Sequence, residues 1–160
     1  MNGNGTLRDA DPFDDELLEL EPLLLDRTAH DRKEPDIINA LTHDIIGAAM
    51  EVHNQMGPGL TENIYEECMA LELCRQRIPY KKQVVIPIRY KGQTLQNMMR
   101  LDLLIDDKVL VELKAVEALN PFHFAQVISH LNAGRWRSGL LINFNVTLLK
   151  NGIKRLFPSY

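Results

Sequence analysis

The spacing of apolar residues changes once along the chain, from a helical period to a strand period, and this change restricts the fold. Between Asp36 and Gln76 apolar side chains recur every three or four residues, whereas from Val84 they recur every second residue. A later segment, 139–144, is apolar apart from Asn143, which is typical of a strand that is buried on both faces. The chain therefore predicts a mixed α/β fold in which helices pack on a sheet.

Turn and cap residues divide this pattern into the element order α-α-β-β-β-α-β. Gly57-Pro58-Gly59 ends the first helix, and Asn120 followed by Pro121 begins the third. The predicted helices are 36–56, 62–76 and 121–132, and the predicted strands are 84–90, 98–105, 109–115 and 139–144, with a last strand within 147–157. Three residues of the second helix are expected to face the core: Ile64, Cys68 and Leu71. An antiparallel meander followed by a helical crossover predicts a mixed sheet between helices.

Length and composition fit one folded domain inside a cell. The chain has 160 residues, 45% of them apolar and 25% charged, which is enough to bury a core without metal or disulfide staples. It holds no apolar stretch long enough to cross a bilayer, and its acidic start does not resemble a secretory signal. Cys68 and Cys74 are too far apart for a disulfide within one helix, and no zinc-ligand spacing surrounds them. We therefore expect a reduced, cytoplasmic protein with no membrane partner.

Charge is divided unevenly along the chain. Residues 1–34 hold ten acids and four bases, a net charge of −6, whereas residues 35–160 hold 12 acids and 14 bases, a net charge of +2. We therefore expect an acidic, flexible N-terminal arm over residues 1–34 and a folded domain over residues 35–160. Six leucines between Leu17 and Leu25 leave two interpretations of the arm open: a solubilising tail, or a docking element that competes with nucleic acid.

Two carboxylates are predicted to meet where the second and third strands pair. Because side chains alternate across a strand, one face of each strand should be apolar. These apolar residues are Leu101, Leu103 and Ile105 in the second strand and Val109, Val111 and Leu113 in the third. Both sets can be buried together only if Leu103 lies opposite Val111, with a three-residue connection between the strands. That register places Asp102 opposite Glu112, about 5 Å away, with Lys114 two residues further along.

Asp102 and Glu112 at this distance repel each other unless a positive charge lies between them. A divalent cation removes that repulsion, and hard oxygen ligands with open positions suit Mg²⁺ or Mn²⁺. Lys114 beside them could orient or deprotonate a water, or stabilise charge on a phosphoryl oxygen. The alternative is a solvated sheet face on which Lys114 forms a plain ion pair with Glu112.

Two helices bring further polar residues toward this position. Glu62 and Tyr65 share a face at the start of the second helix, where an acid also complements the helix dipole. On the third helix, His123, Gln126 and His130 form a polar stripe opposite an apolar one. This polar stripe either faces solvent or borders the carboxylates, since the third helix follows directly from the strand of Glu112.

These segments resemble those of a known prokaryotic family, the GxxExxY proteins. The matching segments are GLTENIY at 59–65, RLD at 100–102, VELKA at 111–115, Pro121 with His123 and Gln126, and GLLINF at 139–144. That family is placed in the PD-(D/E)XK nuclease-like superfamily, whose core is α-β-β-β-α-β. The resemblance covers residues 37–157 and implies the same restriction-endonuclease-like core, a mixed sheet flanked by helices.

The resemblance also implies roles for residues of the second and third strands. Asp102 and Glu112 would be the metal ligands, joined by the main-chain carbonyl of Leu113. Lys114 would be the catalytic lysine that activates or orients water. All of these positions are intact, which favours an active enzyme over a decayed scaffold.

The helices would supply the remaining site residues. The resemblance makes Glu62 the helix acid of the first motif and Gln126 the glutamine of the later helix, which would position Lys114 or a phosphate. Tyr65 and His123 are candidate supporting residues. One departure is visible, since His130 stands where a tyrosine is common.

Two functions from different classes remain open at this point. One is a Mg²⁺- or Mn²⁺-dependent nuclease that hydrolyses DNA or RNA, and the other is a non-catalytic nucleic-acid-binding, protein-binding or assembly module with the same fold. A metal-dependent transferase is disfavoured, because the sequence holds no glycine-rich phosphate loop. Basic clusters at 75–82 and 135–137 could contact nucleic acid or be ordinary loop charges. A chain this small has little surface to wrap a duplex, which favours a homo-oligomer.

Overall fold

The element order of the structure is the one that the two hydrophobic periods predict. The computed structural model describes the backbone of residues 20–159 and the side chains of residues 33–159. The helices are α1 Leu20–Met56, α2 Glu62–Arg75, α3 Pro121–Gly134 and the single turn α4 Leu149–Gly152. The strands are β1 Tyr80–Tyr90, β2 Gln93–Ile105, β3 Val109–Lys114, β4 Ser138–Asn143 and β5 Ile153–Leu156.

The five strands form one mixed sheet in the order β1-β2-β3-β4-β5. β1, β2 and β3 pair antiparallel as a meander, β3 pairs parallel with β4 through the α3 crossover, and β4 pairs antiparallel with β5. Every residue of β3 and of β4 is buried, as expected for central strands that are covered on both faces. The predicted mixed sheet between helices is confirmed.

Apolar side chains fill the space on both faces of the sheet. The larger cluster joins α1 and α2 to the strands, for example through Ile45, Met69 and Val111. The smaller cluster joins α3 to the opposite face through Val127 and Leu131. The domain therefore has three layers, with the sheet in the middle. No helix in the described residues combines the length and the apolarity that a membrane crossing needs.

The buried face of α2 differs from the predicted one. Ile64 and Leu71 are exposed and Cys68 is only partly buried, so the expected inner stripe was wrong. The core side of α2 holds Tyr65, Glu66, Met69, Ala70 and Leu73. α2 carries apolar residues on both stripes, so the helical period alone does not say which stripe packs on the sheet. The Tyr65 ring decides the orientation, because it stacks on Phe144 with 4.5 Å between ring centroids.

Several element boundaries lie outside the predicted ranges. β1 begins at Tyr80 and β2 at Gln93, so the first two strands form a longer hairpin than their apolar residues indicate. A helical turn precedes β5, where a strand alone was expected.

The start of α1 also differs, since the helix begins at Leu20, before the expected Asp36, and Ile38–Tyr160 form one compact unit. Residues 1–19 and the side chains of the leucine cluster lie outside the described residues, and the division of the chain at residue 34 stays a prediction.

Candidate active site

The register of β2 and β3 is the predicted one. Leu103 lies opposite Val111, and the ladder ends at Ile105 and Val109. Residues 106–108 form the three-residue connection, in which Asp106 and Asp107 adopt left-handed φ angles of 48° and 54°. This register brings the carboxylates of Asp102 and Glu112 to the other end of the same strand pair.

β2 is distorted at Asp102 itself. The ladder between β1 and β2 pairs Lys82 with Leu103 and Val84 with Leu101, but omits Gln83 and Asp102 between them. Gln83 has a left-handed φ of 51°, which a regular strand does not contain. This irregularity interrupts the ladder where Asp102 would pair.

The distortion changes the face on which Leu101 lies. Leu103 and Ile105 share a face and pack with α1 and α2, but Leu101 packs with Leu104 on the α3 side. The expectation that Leu101, Leu103 and Ile105 share one face was therefore wrong for Leu101. Alternation is lost across Asp102, and its Oδ2 accepts a hydrogen bond from the Leu113 main-chain N–H at 2.8 Å.

Glu112 and Lys114 form a buried pair at the end of β3. The two side chains lie on the α3 side of the sheet, opposite Val111 and Leu113. The Lys114 ammonium donates a hydrogen bond to Glu112 Oε1 at 2.9 Å, and the residues are 9% and 2% exposed. A charged pair this far from water is not the solvated sheet face of the alternative interpretation.

The polar stripe of α3 faces this pair. Gln126 Nε2 donates a hydrogen bond to Glu112 Oε1 at 2.8 Å, so the amide and Lys114 share one acceptor oxygen. His130 is buried, and its Nδ1 lies 3.5 Å from Glu112 Oε2. Neither of these two atoms has a hydrogen-bond partner among the described residues. Of the two interpretations of the stripe, the one that places it beside the carboxylates is confirmed for Gln126 and His130.

His123 has a different position in α3. The Asn120 side chain accepts hydrogen bonds from the main-chain N–H groups of Phe122 and His123, and His123 Nδ1 accepts one from the Asn120 N–H. These contacts form a capping box that fixes where the helix begins. The ring of His123 thus anchors the start of α3, from which Gln126 reaches Glu112 one turn later.

Glu62 begins α2 after a loop that Tyr65 holds in place. The buried hydroxyl of Tyr65 donates to the Gly57 carbonyl at 2.7 Å and accepts from the Leu60 N–H at 3.2 Å. Since its ring stacks on Phe144, Tyr65 links this loop to the core directly after β4. Tyr65 therefore supports the position of Glu62 and does not point a free hydroxyl into the site.

The carboxyl groups of the site affect one another. Burial, followed by the neighbouring charge of Glu112, raises the pKa of Asp102 from 3.8 to about 7, although the Leu113 hydrogen bond opposes this. Burial also raises the pKa of Glu62, where Lys114 acts in the opposite direction and Glu112 in the same one. Negative charge at this position is therefore only partly compensated by the protein's own groups.

Comparison with known proteins identifies this arrangement. A family model described as the PD-(D/E)XK nuclease superfamily matches residues 39–156. This chain belongs to that superfamily. The match to the narrower GxxExxY family stays a prediction.

Two further comparisons add no functional detail. None of the curated proteins matches the chain. A solved structure titled "Crystal structure of SSO0001" is similar over 61% of this chain and 50% of its own, with 17% identity and a TM-score of 0.44.

The donor set agrees with the divalent metals that PD-(D/E)XK nucleases generally use. Among the described residues, Glu112 Oε2 is buried without a hydrogen-bond partner, and Asp102 is a second carboxylate whose negative charge is only partly compensated. Among the described residues, no three His, Cys, Asp or Glu side chains form a metal site by themselves. Two carboxylates with further positions left to water or substrate are the set that Mg²⁺ accepts. The residues therefore fit such a cation.

The sequence did not indicate a role for Glu66, which lies beside this site of the PD-(D/E)XK domain. Glu66 is buried one turn after Glu62, where it accepts a hydrogen bond from the Gln83 amide and lies 3.6 Å from the Lys82 ammonium. The helical spacing of Glu62 and Glu66 was a visible signal. The contact with Gln83 was not visible, because it depends on the irregular backbone at that residue. For His130, the sequence indicates a place on the polar stripe of α3 and a departure from the family's tyrosine, but it does not single out the approach to Glu112 Oε2.

Proposed function

We propose that this chain is a Mg²⁺- or Mn²⁺-dependent nuclease that hydrolyses phosphodiester bonds in DNA or RNA. The observation that carries the proposal is the convergence of Asp102, Glu112 and Lys114 at the end of one strand pair. Two carboxylates whose negative charge is only partly compensated can bind a divalent cation, and a lysine beside them can stabilise charge on a phosphoryl oxygen. Phosphodiester hydrolysis uses both functions. Membership of the nuclease superfamily supports the same reaction class.

Hydrolysis of a phosphodiester exchanges one P–O bond for another. A water oxygen forms a new bond to phosphorus while the bond to a sugar oxygen breaks. The water loses one proton and the departing oxygen gains one, so the reaction needs no oxidant or reductant. The protein must therefore position water, compensate charge on the phosphate and allow proton transfer.

Asp102 and Glu112 are the residues that would hold the cation, with the Leu113 carbonyl as a third ligand. A divalent cation held by these residues would neutralise charge on the scissile phosphate and lower the pKa of a nearby water. Glu112 is pre-oriented for this role, because Lys114 and Gln126 both fix its Oε1 and leave Oε2 without a hydrogen bond.

Lys114 serves the water and the phosphate. Its ammonium is held 2.9 Å from Glu112 Oε1, so its position is set without a bound substrate. From there it orients the attacking water or stabilises a phosphoryl oxygen. Glu62 assists by accepting a hydrogen bond from water near the site, where burial raises the pKa of its carboxyl group above the ordinary value.

Gln126 positions Glu112, and through the shared oxygen it also positions Lys114. This differs from a direct contact with phosphate, the second role that the resemblance allows. Tyr65 and His123 act further away, through the loop before α2 and the cap of α3.

One observation favours the other candidate, a non-catalytic binding or assembly module. Lys114 and Gln126 already satisfy Glu112 Oε1, and the described residues contain no metal site of three side chains. In that function the Glu112–Lys114 pair would be a buried structural ion pair, and no cation would be needed.

A cleavage assay separates the two functions. Purified protein is incubated with plasmid DNA, single-stranded DNA and RNA in Mg²⁺, in Mn²⁺ and in EDTA. We expect metal-dependent cleavage by the wild type and a loss of about 10²- to 10⁴-fold in Lys114→Met. The control is Lys108→Met, which removes a lysine that forms an ion pair with Asp106 at 2.5 Å at the opposite end of the strands.

Lys108→Met should cleave at the wild-type rate. Cleavage that persists in EDTA, or that is equal in the wild type and Lys114→Met, would contradict the proposed nuclease.

A further inference from the structure

The β1–β2 hairpin extends past the rest of the sheet. Pairing between β2 and β3 covers only Leu103 to Ile105, whereas β1 and β2 remain paired out to Tyr90 and Gln93. We call residues 85–100 the distal hairpin. Its two strands have no third neighbour within the described part of the chain. At about 3.3 Å per residue, its six positions from Val85 to Tyr90 form a ribbon about 20 Å long.

The charge of the distal hairpin has one sign. Residues 85–100 contain three bases, Arg89, Lys91 and Arg100, and no acid, in a chain whose net charge is −4. Lysines near the start of β1 are neutralised, since Lys81 pairs with Asp107 and Lys82 with Glu66.

None of the three hairpin bases forms an ion pair with a described residue. The surface next to them also lacks negative charge. A groove of about 660 Å³ along the free side of β1 is lined by Arg89, Arg135 and Trp136, and no acidic side chain of the described residues lines it.

Strand alternation orders these groups on the two faces of the ribbon. Val85 pairs with Arg100, so these two residues share a face with Met98. The register shifts between Pro87 and Arg89, but β1 keeps its alternation there, with Pro87 and Arg89 exposed on either side of the more buried Ile88, so Arg89 lies on the same face. The opposite face begins with Ile86 and Met99, which pack in the core with α3. The arginine face is therefore the uncovered one, and Val85 and Met98 on it are 52% and 60% exposed.

The distal hairpin leads directly to the candidate active site. Arg100 is two residues from Asp102, at the point where β2 leaves its pairing with β3. The distal hairpin is therefore continuous along β2 with the segment that carries Asp102.

We propose that the distal hairpin lies in the major groove of duplex DNA, with Arg89, Lys91 and Arg100 on the phosphates. The major groove of B-form DNA admits a two-stranded β-ribbon, whereas the deep and narrow major groove of A-form RNA does not. The hairpin is long, two-stranded and free on both edges, and it ends in a tight turn at Lys91-Gly92 with φ angles of 48° and 81°. As a statement about the substrate, this proposal rests on the proposed nuclease function.

The test compares two triple variants that remove the same charge. One is Arg89→Gln/Lys91→Gln/Arg100→Gln in the distal hairpin. The control is Lys81→Gln/Lys150→Gln/Lys154→Gln, which changes exposed lysines away from the hairpin. Both are made in full-length Lys114→Met protein, and binding to a 30-base-pair DNA duplex is measured by fluorescence anisotropy between 50 and 200 mM salt.

We expect the hairpin triple to lose at least tenfold in affinity for the duplex at the lower salt. The slope of log affinity against log salt should fall by about two to three units, since each lost phosphate contact on B-form DNA contributes about 0.9. The control triple should change the slope by less than one unit. The unaltered protein should bind duplex DNA more tightly than duplex RNA or single-stranded DNA of the same length.

Three results would overturn the proposal: equal losses in the two triples, an unchanged slope in the hairpin triple, or tighter binding to duplex RNA or single-stranded DNA. Failure of the nuclease function gives a different pattern. In that case the wild type cleaves nothing, while the hairpin triple still loses duplex binding. If the wild type cleaves duplex DNA and the hairpin triple binds the duplex as tightly as the control triple, the hairpin proposal alone fails.

Discussion

The two ends of the β2–β3 pair use the same register for opposite purposes. At the turn end, Leu103 faces Val111 in a fully apolar environment, and the charged residues of the connection point outward into exposed ion pairs. At the site end, one residue beyond that pair, the half-buried Asp102 lies close to the buried Glu112. One ladder thus builds the core at one end and brings like charges together at the other.

The difference has a physical cost that the turn end does not carry. Burial disfavours an ionised carboxylate, and a second carboxylate nearby disfavours it further, so Asp102 has a pKa of about 7. Glu112 Oε2 and His130 Nδ1 are buried without a hydrogen bond to any described residue. Unsatisfied polar atoms of this kind destabilise a fold, and they are typical of sites that bind something.

The largest effect is expected at the turn end. Leu103→Ala removes a fully buried side chain from the larger cluster and should lower the free energy of unfolding by about 2–5 kcal/mol. Urea denaturation in EDTA measures this value. The comparison variant Lys108→Gln removes only a partly exposed ion pair and should change it by less than about 1 kcal/mol. A cost below 1 kcal/mol for Leu103→Ala would mean that this end is not the rigid core.

At the site end, Asp102→Asn should stabilise the metal-free protein. The pKa of Asp102 is raised in the folded state, so the native protein binds this proton more tightly than the unfolded chain. Wild-type stability therefore falls as the pH rises from about 4 to about 7, whereas the variant lacks this loss. Above pH 7 the variant should be more stable by up to about 4 kcal/mol, since each pKa unit between 3.8 and about 7 corresponds to about 1.4 kcal/mol.

The measurement is urea denaturation in EDTA at several pH values. The matched control Asp107→Asn, an exposed turn-end acid, should change the free energy of unfolding by less than about 1 kcal/mol at every pH. A wild type that is equally stable or more stable than Asp102→Asn at pH 8 would show that the two carboxylates do not conflict.

A smaller difference separates the two α3 residues that contact Glu112. Gln126→Met removes a hydrogen bond to a buried carboxylate and should cost about 1–2 kcal/mol of unfolding free energy. His130→Phe removes no hydrogen bond at Nδ1 and keeps an aromatic ring, so its cost should stay below about 1 kcal/mol. Equal costs would imply that His130 also holds Glu112 in place in solution.

The sequence predicted the register of the β2–β3 pair because only one pairing buries the apolar residues of both strands on the same face of the sheet. Two apolar faces had to coincide, and a three-residue connection was the length that satisfied them. The capping box at Asn120 was equally visible in its first residues, Asn and Pro. The convergence of Asp102, Glu112 and Lys114 follows from these local rules.

The remaining features depend on contacts that no local pattern contains. The left-handed backbone of Gln83 interrupts the ladder at Asp102. The residues around Gln83 are those of an ordinary strand, so the sequence does not predict this conformation. α2 has two apolar stripes, and only the stacking of Tyr65 on Phe144 selects one of them. His130 lies beside Glu112, which is 18 residues earlier in the sequence. The polar stripe of α3 indicates which face of the helix His130 occupies, but not which residue that face contacts.

Calorimetric titration of Mg²⁺ and of Mn²⁺ tests most directly whether Asp102 and Glu112 form a metal site that Lys114 serves. We expect the wild type and Lys114→Met to bind one ion with similar affinity, because the lysine contacts Glu112 Oε1 and is not itself a ligand. Asp102→Asn should lose at least tenfold in affinity. If the wild type binds neither ion more tightly than Asp102→Asn does, the carboxylates are not a metal site and the chain is a non-catalytic module.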